Sequence, residues 1–201
     1  MTGMMIVCAV IGYLIGSISV AVLLCKFLKH EDVREKGSHN AGSTNVARVY
    51  GIKIGLLVFV GDFAKMAIAI GIGWLLLGKT GQAAASIGCL IGHCWPIFFG
   101  FKGGKGVAVS AAIACFIDWR MLICLLIIFA LAAVISKRVS VGSLAAALLF
   151  TPVMVLLGNT FIWFIITGLV VCVVVIVQHI PNIKRLINHT EAEFKPFKPN
   201  K

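Results

Sequence analysis

The stretch FGFKGGKGVA, residues 99–108, sets two lysines among four glycines between apolar runs. Charged, glycine-rich backbone of this kind is too costly to leave in hydrocarbon, so it marks a membrane edge. Outward from it, apolar runs fall at about 4–28, 52–78, 82–99, 107–117, 121–136, 142–157 and 160–178. Hydrophobic residues make up 60% of the 201, and mean hydropathy is +1.05. A soluble domain sits nearer about 45–50% apolar. The pattern predicts an all-α integral membrane protein, a polytopic bundle of seven transmembrane helices in a single domain over 1–201. The run 107–117 is too short to span by itself, so it and 121–136 could instead form a re-entrant hairpin.

Charge sorts the segments between the runs by side. If each run crosses once, one face holds the lysines and arginines of 26–53, 102–105, 137–138 and 184–201, and the other only Lys79 and Arg120. The rich face is expected to be cytoplasmic, with the N-terminus outside and the C-terminus inside. No Lys or Arg precedes Lys26, so the first run reads as a retained span rather than a signal peptide. The net charge of +11 would suggest nucleic acid in a soluble protein. Here the basic residues cluster between apolar runs, which favours lipid headgroups or a small anion, and nucleic-acid readout motifs are absent. Seven cysteines lie mostly within apolar runs without a C-x-x-C pair, which predicts no disulfide, metal site or cofactor.

Three segments carry candidate chemistry. In Lys102-Gly103-Gly104-Lys105-Gly106 the glycines leave amides uncovered for an anion nest, a following helix adds its dipole, and two lysines add charge. It is not a Walker A loop, because no Ser or Thr follows either lysine. Gly37–Arg48 is dense in small polar groups, with Ser38, Asn40, Thr44 and Asn45 able to read polyol oxygens and Arg48 able to grip phosphate in a bidentate fork. Ser38, Asn40 and Ser43 are also ordinary cap and loop residues. At the exit of the last run, His179 could act as a base or a phosphate ligand, with Asn182 three residues on. Ser140 and Ser143, beside Lys137 and Arg138, could add hydroxyls to an anion site or cap the next helix. Asp62 and Lys65, three apart in an apolar run, are expected to pair for structural reasons. His93 reads as a packing or hydrogen-bonding residue. No histidine has Asp five positions on, so the H-x-x-x-x-D dyad of many glycerolipid acyltransferases is absent.

The segments Gly37–Arg48, Gly92–Val107 and His179–Glu191, in this order and spacing, closely resemble the bacterial acyl-phosphate:glycerol-3-phosphate acyltransferase (PlsY) family. The resemblance implies a seven-helix membrane bundle in the bacterial cytoplasmic membrane, with its site on the cytoplasmic side. It implies transfer of a fatty acyl group from acyl phosphate to the 1-hydroxyl of glycerol 3-phosphate, giving lysophosphatidic acid and phosphate. Partners would be these substrates and membrane lipid, with no obligate protein partner. By position, Ser38 and Arg48 match essential residues of the first motif, and Gly103, Gly104, Lys105 and Gly106 match the glycerol 3-phosphate segment. His179 and Asn182 match the third-motif pair, Glu191 its structural acid, and Ser143 a hydroxyl near substrate. The family usually has Gly at His39, Ala at Ser43, Arg at Ile180 and Gly at His189. The proton acceptor is either His179 or a substrate phosphate. A membrane transporter for a phosphorylated solute is the alternative that the residues alone leave open.

Overall fold

The computed structural model describes residues 2–193, and the chain divides after Ile113 into two compact units. The described residues are helical, with no strand. Three helical stretches are long and apolar enough to cross a membrane, and five qualify if each bent pair counts as one span.

The first unit begins with α1 (Thr2–Gly16) and α2 (Val20–Lys29), separated by a break at Ser17–Ser19. A short 3-10 turn, Val33–Glu35, and α3 (Ser43–Tyr50) lie within the polar segment. The long α4 (Ile52–Cys94) is interrupted where Leu77 and Gly78 leave helical geometry. Gly78 takes φ 56°, ψ −143°, a region open essentially to glycine alone. The chain folds back there, so that Gly73 lies against Gly81 and Ala85. The sequence marks this turn at Lys79-Thr80-Gly81. It comes slightly earlier because Gly78 supplies the backbone freedom, while residues 79–81 are already helical.

Small residues draw α1 against the second arm of α4. Gly12 abuts Ala85, Gly16 abuts Cys89, and Gly88 and Gly92 abut Ala9 and Tyr13. The register rises together on both helices, so they run parallel. Without side chains at these glycines the backbones approach closely, the van der Waals route to helix association in lipid. The parallel pairing puts the Gly78 turn at the end where α1 starts. The opposite end gathers residues 30–51 and 95–106, and with them Lys36, Arg48, Lys102 and Lys105.

The helix α5 (Val107–Ile117) has 11 residues, about half the length needed to cross. In the second unit α6 (Trp119–Ser136) turns through Lys137 into α7 (Val139–Leu148). The helix α8 (Phe150–Leu156) continues α7 with a 46° bend. Gly158, at φ 85°, turns the chain into α9 (Ile162–Gln178), and α10 (Ile180–Ile187) leaves α9 at 56°. The Asp118 carboxylate caps α6, accepting from the Arg120 amide at 2.9 Å, and accepts from Asn159 Nδ2 at 3.1 Å. The Arg120 guanidinium beside it holds that carboxyl well below the usual range.

Candidate active site

In the first unit the structure brings two of the three segments together. Ala41 N donates to Gly103 O at 3.4 Å, and Arg34 Nη1 donates to Phe99 O at 2.7 Å and Lys102 O at 3.3 Å. Asp32 holds the Arg34 guanidinium through Nε and Nη2. That pairing draws the Asp32 carboxyl below its ordinary range, despite partial burial that opposes it. Sequence reasoning gave Arg34 no role, because its two carbonyl partners are more than 60 residues away.

Asn45 holds the loop from within. It is 1% exposed, its Oδ1 accepts from Ser38 N at 2.8 Å, and its Nδ2 donates to the carbonyls of Val33, Lys36 and Asn40 at 3.0–3.2 Å. The sequence suggests a substrate contact here. The structure instead commits both ends of this amide to backbone, so Asn45 shapes the loop that presents Ser38. By contrast, Ser38, Thr44 and Arg48 are exposed and make no side-chain hydrogen bond among the described residues. Thr44 and Arg48, four apart on α3, share one helix face. The Asn40 side chain sits beside Gly42.

The glycine–lysine loop departs from the expected anion nest. Gly103 N donates to Cys94 O at 3.2 Å and Gly104 N to His93 O at 3.0 Å, so neither amide faces a ligand. Glycine is needed there for close approach: a Cβ on Gly103 would strike the His93 and Cys94 carbonyls, and one on Gly104 the His93 ring. Donors toward an anion come from the next residues. Gly106, at φ 84°, precedes α5, and the first bond into that helix is Ser110 N to Gly106 O at 2.8 Å. The amides that open α5 therefore have no partner within the helix and carry its positive dipole end. Lys105, half-buried, stands beside them.

In the second unit Glu191 gathers the third segment. Its Oε1 accepts from Ser140 Oγ at 2.7 Å and Asn182 Nδ2 at 2.6 Å, and its Oε2 from Arg185 Nε at 2.7 Å. Burial pushes this carboxyl up, but the three hydrogen bonds outweigh it and leave the group below its ordinary range. Ser140 is thus a tether for Glu191. Ser143, one turn along α7, is buried and bonds back to Val139 O at 3.1 Å. His179, 3% exposed at the α9–α10 bend, places Nδ1 2.8 Å from Val175 O. A carbonyl only accepts, so Nδ1 carries a proton.

Two departures from the usual family residues fall on left-handed backbone. His39 has φ 58° and His189 φ 55°, where glycine meets no steric cost. His39 Nδ1 lies 3.1 Å from Arg34 O, a local contact that helps hold this conformation. Ile180, in the position usually held by arginine, is a half-exposed apolar side chain at the start of α10.

Comparison with known proteins agrees with this geometry. The family profile described as Glycerol-3-phosphate acyltransferase matches residues 6–189. The glycerol-3-phosphate acyltransferase of Thermoanaerobacter pseudethanolicus is 40% identical over 92% of this chain and 93% of its own length. That of Bacillus subtilis is 34% identical over 92% of this chain and 95% of its own. Crystal structures of PlsY (YgiH), an integral membrane glycerol 3-phosphate acyltransferase, superpose with TM-scores of 0.88 and 0.86 at 30% and 28% identity. The first is the glycerol 3-phosphate form and the second the lysophosphatidic acid form, and each match covers 95% of this chain. These likenesses favour catalysis over solute transport. With the profile spanning nearly its whole length, the chain belongs to the glycerol-3-phosphate acyltransferase family.

Proposed function

We propose that this protein transfers a fatty acyl group from acyl phosphate to the 1-hydroxyl of glycerol 3-phosphate, releasing phosphate and lysophosphatidic acid. The observation that carries the reading is the packing of residues 34–48 on residues 99–106 through Arg34 and Ala41. Ser38 on the first segment's loop, Arg48 on α3 and Lys105 on the glycine–lysine loop thereby belong to interlocked segments at the basic end of the first unit. The named ligand forms of the structural relatives supply the acceptor and product. On this reading the chain crosses the bacterial cytoplasmic membrane seven times, with α5 the shortest pass. The N-terminus is outside, and the basic end of the first unit faces the cytoplasm.

Both reactants are anions, so cations must offset their repulsion. Arg48, Lys105 and the opening amides of α5 bind phosphate, Ser38 adds a hydroxyl donor, and positioning supplies much of the rate. The acceptor hydroxyl oxygen attacks the acyl carbonyl carbon. The bond from that carbon to the phosphate oxygen breaks, and phosphate leaves with its electron pair. The hydroxyl proton passes to a phosphate oxygen of the substrate, with Ser38 and His179 as orienting residues. Asn182 and Glu191 keep the α9–α10 bend in place.

The test uses purified protein in detergent, radiolabelled glycerol 3-phosphate, and acyl phosphate, acyl-CoA or acyl carrier protein as donor. Labelled lysophosphatidic acid with acyl phosphate alone supports the reading, and product only with either other donor sinks it. His179→Gln should lower kcat modestly with an unchanged pH–rate profile. Collapse of activity with loss of a titrating limb near neutral pH would make His179 the base.

A further inference from the structure

Asp62, Lys65 and His93 are buried polar side chains without a part in the chemistry above. Asp62 and Lys65 sit one turn apart on the first arm of α4, and His93 on the second arm, joined to them by the fold-back at Gly78. Each is 6% exposed or less. Lys65 Nζ lies 2.9 Å from Asp62 Oδ1 and 3.0 Å from His93 Nδ1, and donates to Ile18 O at 2.8 Å. Ile18 offers that carbonyl because α1 and α2 break there. An ammonium only donates, so Ile18 O and His93 Nδ1 each accept one of its hydrogens, while the Asp62 carboxylate stands beside it as an ion pair with no hydrogen-bond partner on either oxygen among the described residues. With Nδ1 accepting, neutral His93 carries its proton on Nε2. That nitrogen is the first atom a Cβ on Gly104 would meet.

The same histidine accepts the Gly104 amide on its carbonyl at 3.0 Å, and its neighbour Cys94 accepts the Gly103 amide at 3.2 Å. The glycine–lysine loop thus rests on His93 through both backbone and ring, while the ring is held by Lys65. Buried ion pairs add little to stability compared with apolar side chains of the same volume. Three such groups at this depth are therefore better explained by where they put the loop than by how firmly they hold the fold.

We infer that Asp62, Lys65 and His93 are positioning residues for the glycerol 3-phosphate loop: Lys65 fixes the His93 ring, and that ring sets where Gly103–Gly106 and Lys105 stand. This rests on the acceptor assignment above for its kinetic part only.

The experiment compares full-length wild type in detergent with His93→Asn, which keeps an acceptor for Lys65 but loses the ring edge under Gly104. It adds the charge-neutral double variant Asp62→Asn with Lys65→Met, which leaves no lone buried charge. Readouts are unfolding temperature, hydrogen–deuterium exchange of residues 100–106, and KM and kcat for glycerol 3-phosphate. The expected result is faster exchange in 100–106 and KM raised about tenfold, with kcat within about threefold of wild type. Unfolding temperatures should stay within about 4 °C of wild type. Wild-type exchange in 100–106 in both variants overturns the proposal. So does a parallel fall of kcat and unfolding temperature with KM unmoved. If wild type fails to acylate glycerol 3-phosphate, exchange alone decides: faster exchange supports the positioning role while the acceptor assignment falls, and unchanged exchange overturns both.

Discussion

Replacing Glu191 with alanine removes the carboxylate on which Ser140, Asn182 and Arg185 converge. The Arg185 side chain is 42% exposed, so its share is about 0.5 kcal/mol. Ser140 and Asn182 are buried, and a hydrogen bond to a charged acceptor is worth about 1.5 kcal/mol each. The total is about 3.5 kcal/mol. At about 3 °C per kcal/mol for a chain of this size, the unfolding temperature should fall by about 10 °C. Glu191→Gln keeps the length and one acceptor oxygen and should lose about half as much. The assay is thermal unfolding in detergent followed by circular dichroism. The pH dependence follows from the lowered carboxyl. A group with a depressed folded pKa adds stability that is present above its unfolded value, about 4.3 for Glu, and is lost as pH falls through the folded value. The gap between wild type and Glu191→Gln should therefore be flat near neutral pH and shrink below about pH 4. Wild-type unfolding of Glu191→Ala, with activity abolished, would refute the tethering role and give Glu191 a part in the chemistry.

Asn45→Asp keeps the acceptor for Ser38 N but sets a carboxylate oxygen against three carbonyls. Loop order should fall by about 3 kcal/mol, which lowers kcat/KM for glycerol 3-phosphate about a hundredfold; a steady-state assay at neutral pH checks this, together with exchange of residues 33–40. Gly104→Ala drives a methyl into the His93 ring and should raise KM for glycerol 3-phosphate with little change in kcat, measured by initial rates. At His39, glycine should be nearly neutral, relief of the left-handed clash offsetting the lost contact to Arg34 O, and valine destabilising by about 1–2 kcal/mol, because its branched Cβ worsens that clash and makes no such contact, as unfolding temperature will show.

Much of the fold was legible because hydropathy alone separates helix from junction in lipid. Each apolar run emerges as helix, and each short junction falls within three residues of a turn or a cap. The turn at Gly78 was misplaced by the more polar Lys79-Thr80-Gly81, since hydropathy marks polarity and Gly78 marks backbone freedom. The helix α3 was not visible because its eight residues are too polar for an apolar run. The site was legible as residue types and less so as roles. Asn45 and the Gly103 and Gly104 amides were assigned to a ligand, because a sequence does not reveal which polar groups are consumed by neighbouring backbone. The Asp62–Lys65 pair followed from helical spacing. His93 joins it through a fold-back spanning 28 residues, which periodicity does not encode.

The most direct measurement is phosphate release from acyl phosphate by the purified protein, with and without glycerol 3-phosphate, in wild type, Arg48→Met and Lys105→Met. The account predicts release that requires glycerol 3-phosphate, matches lysophosphatidic acid one for one, and falls at least about a hundredfold in either variant. Release that ignores glycerol 3-phosphate, or that survives both substitutions unchanged, would contradict it.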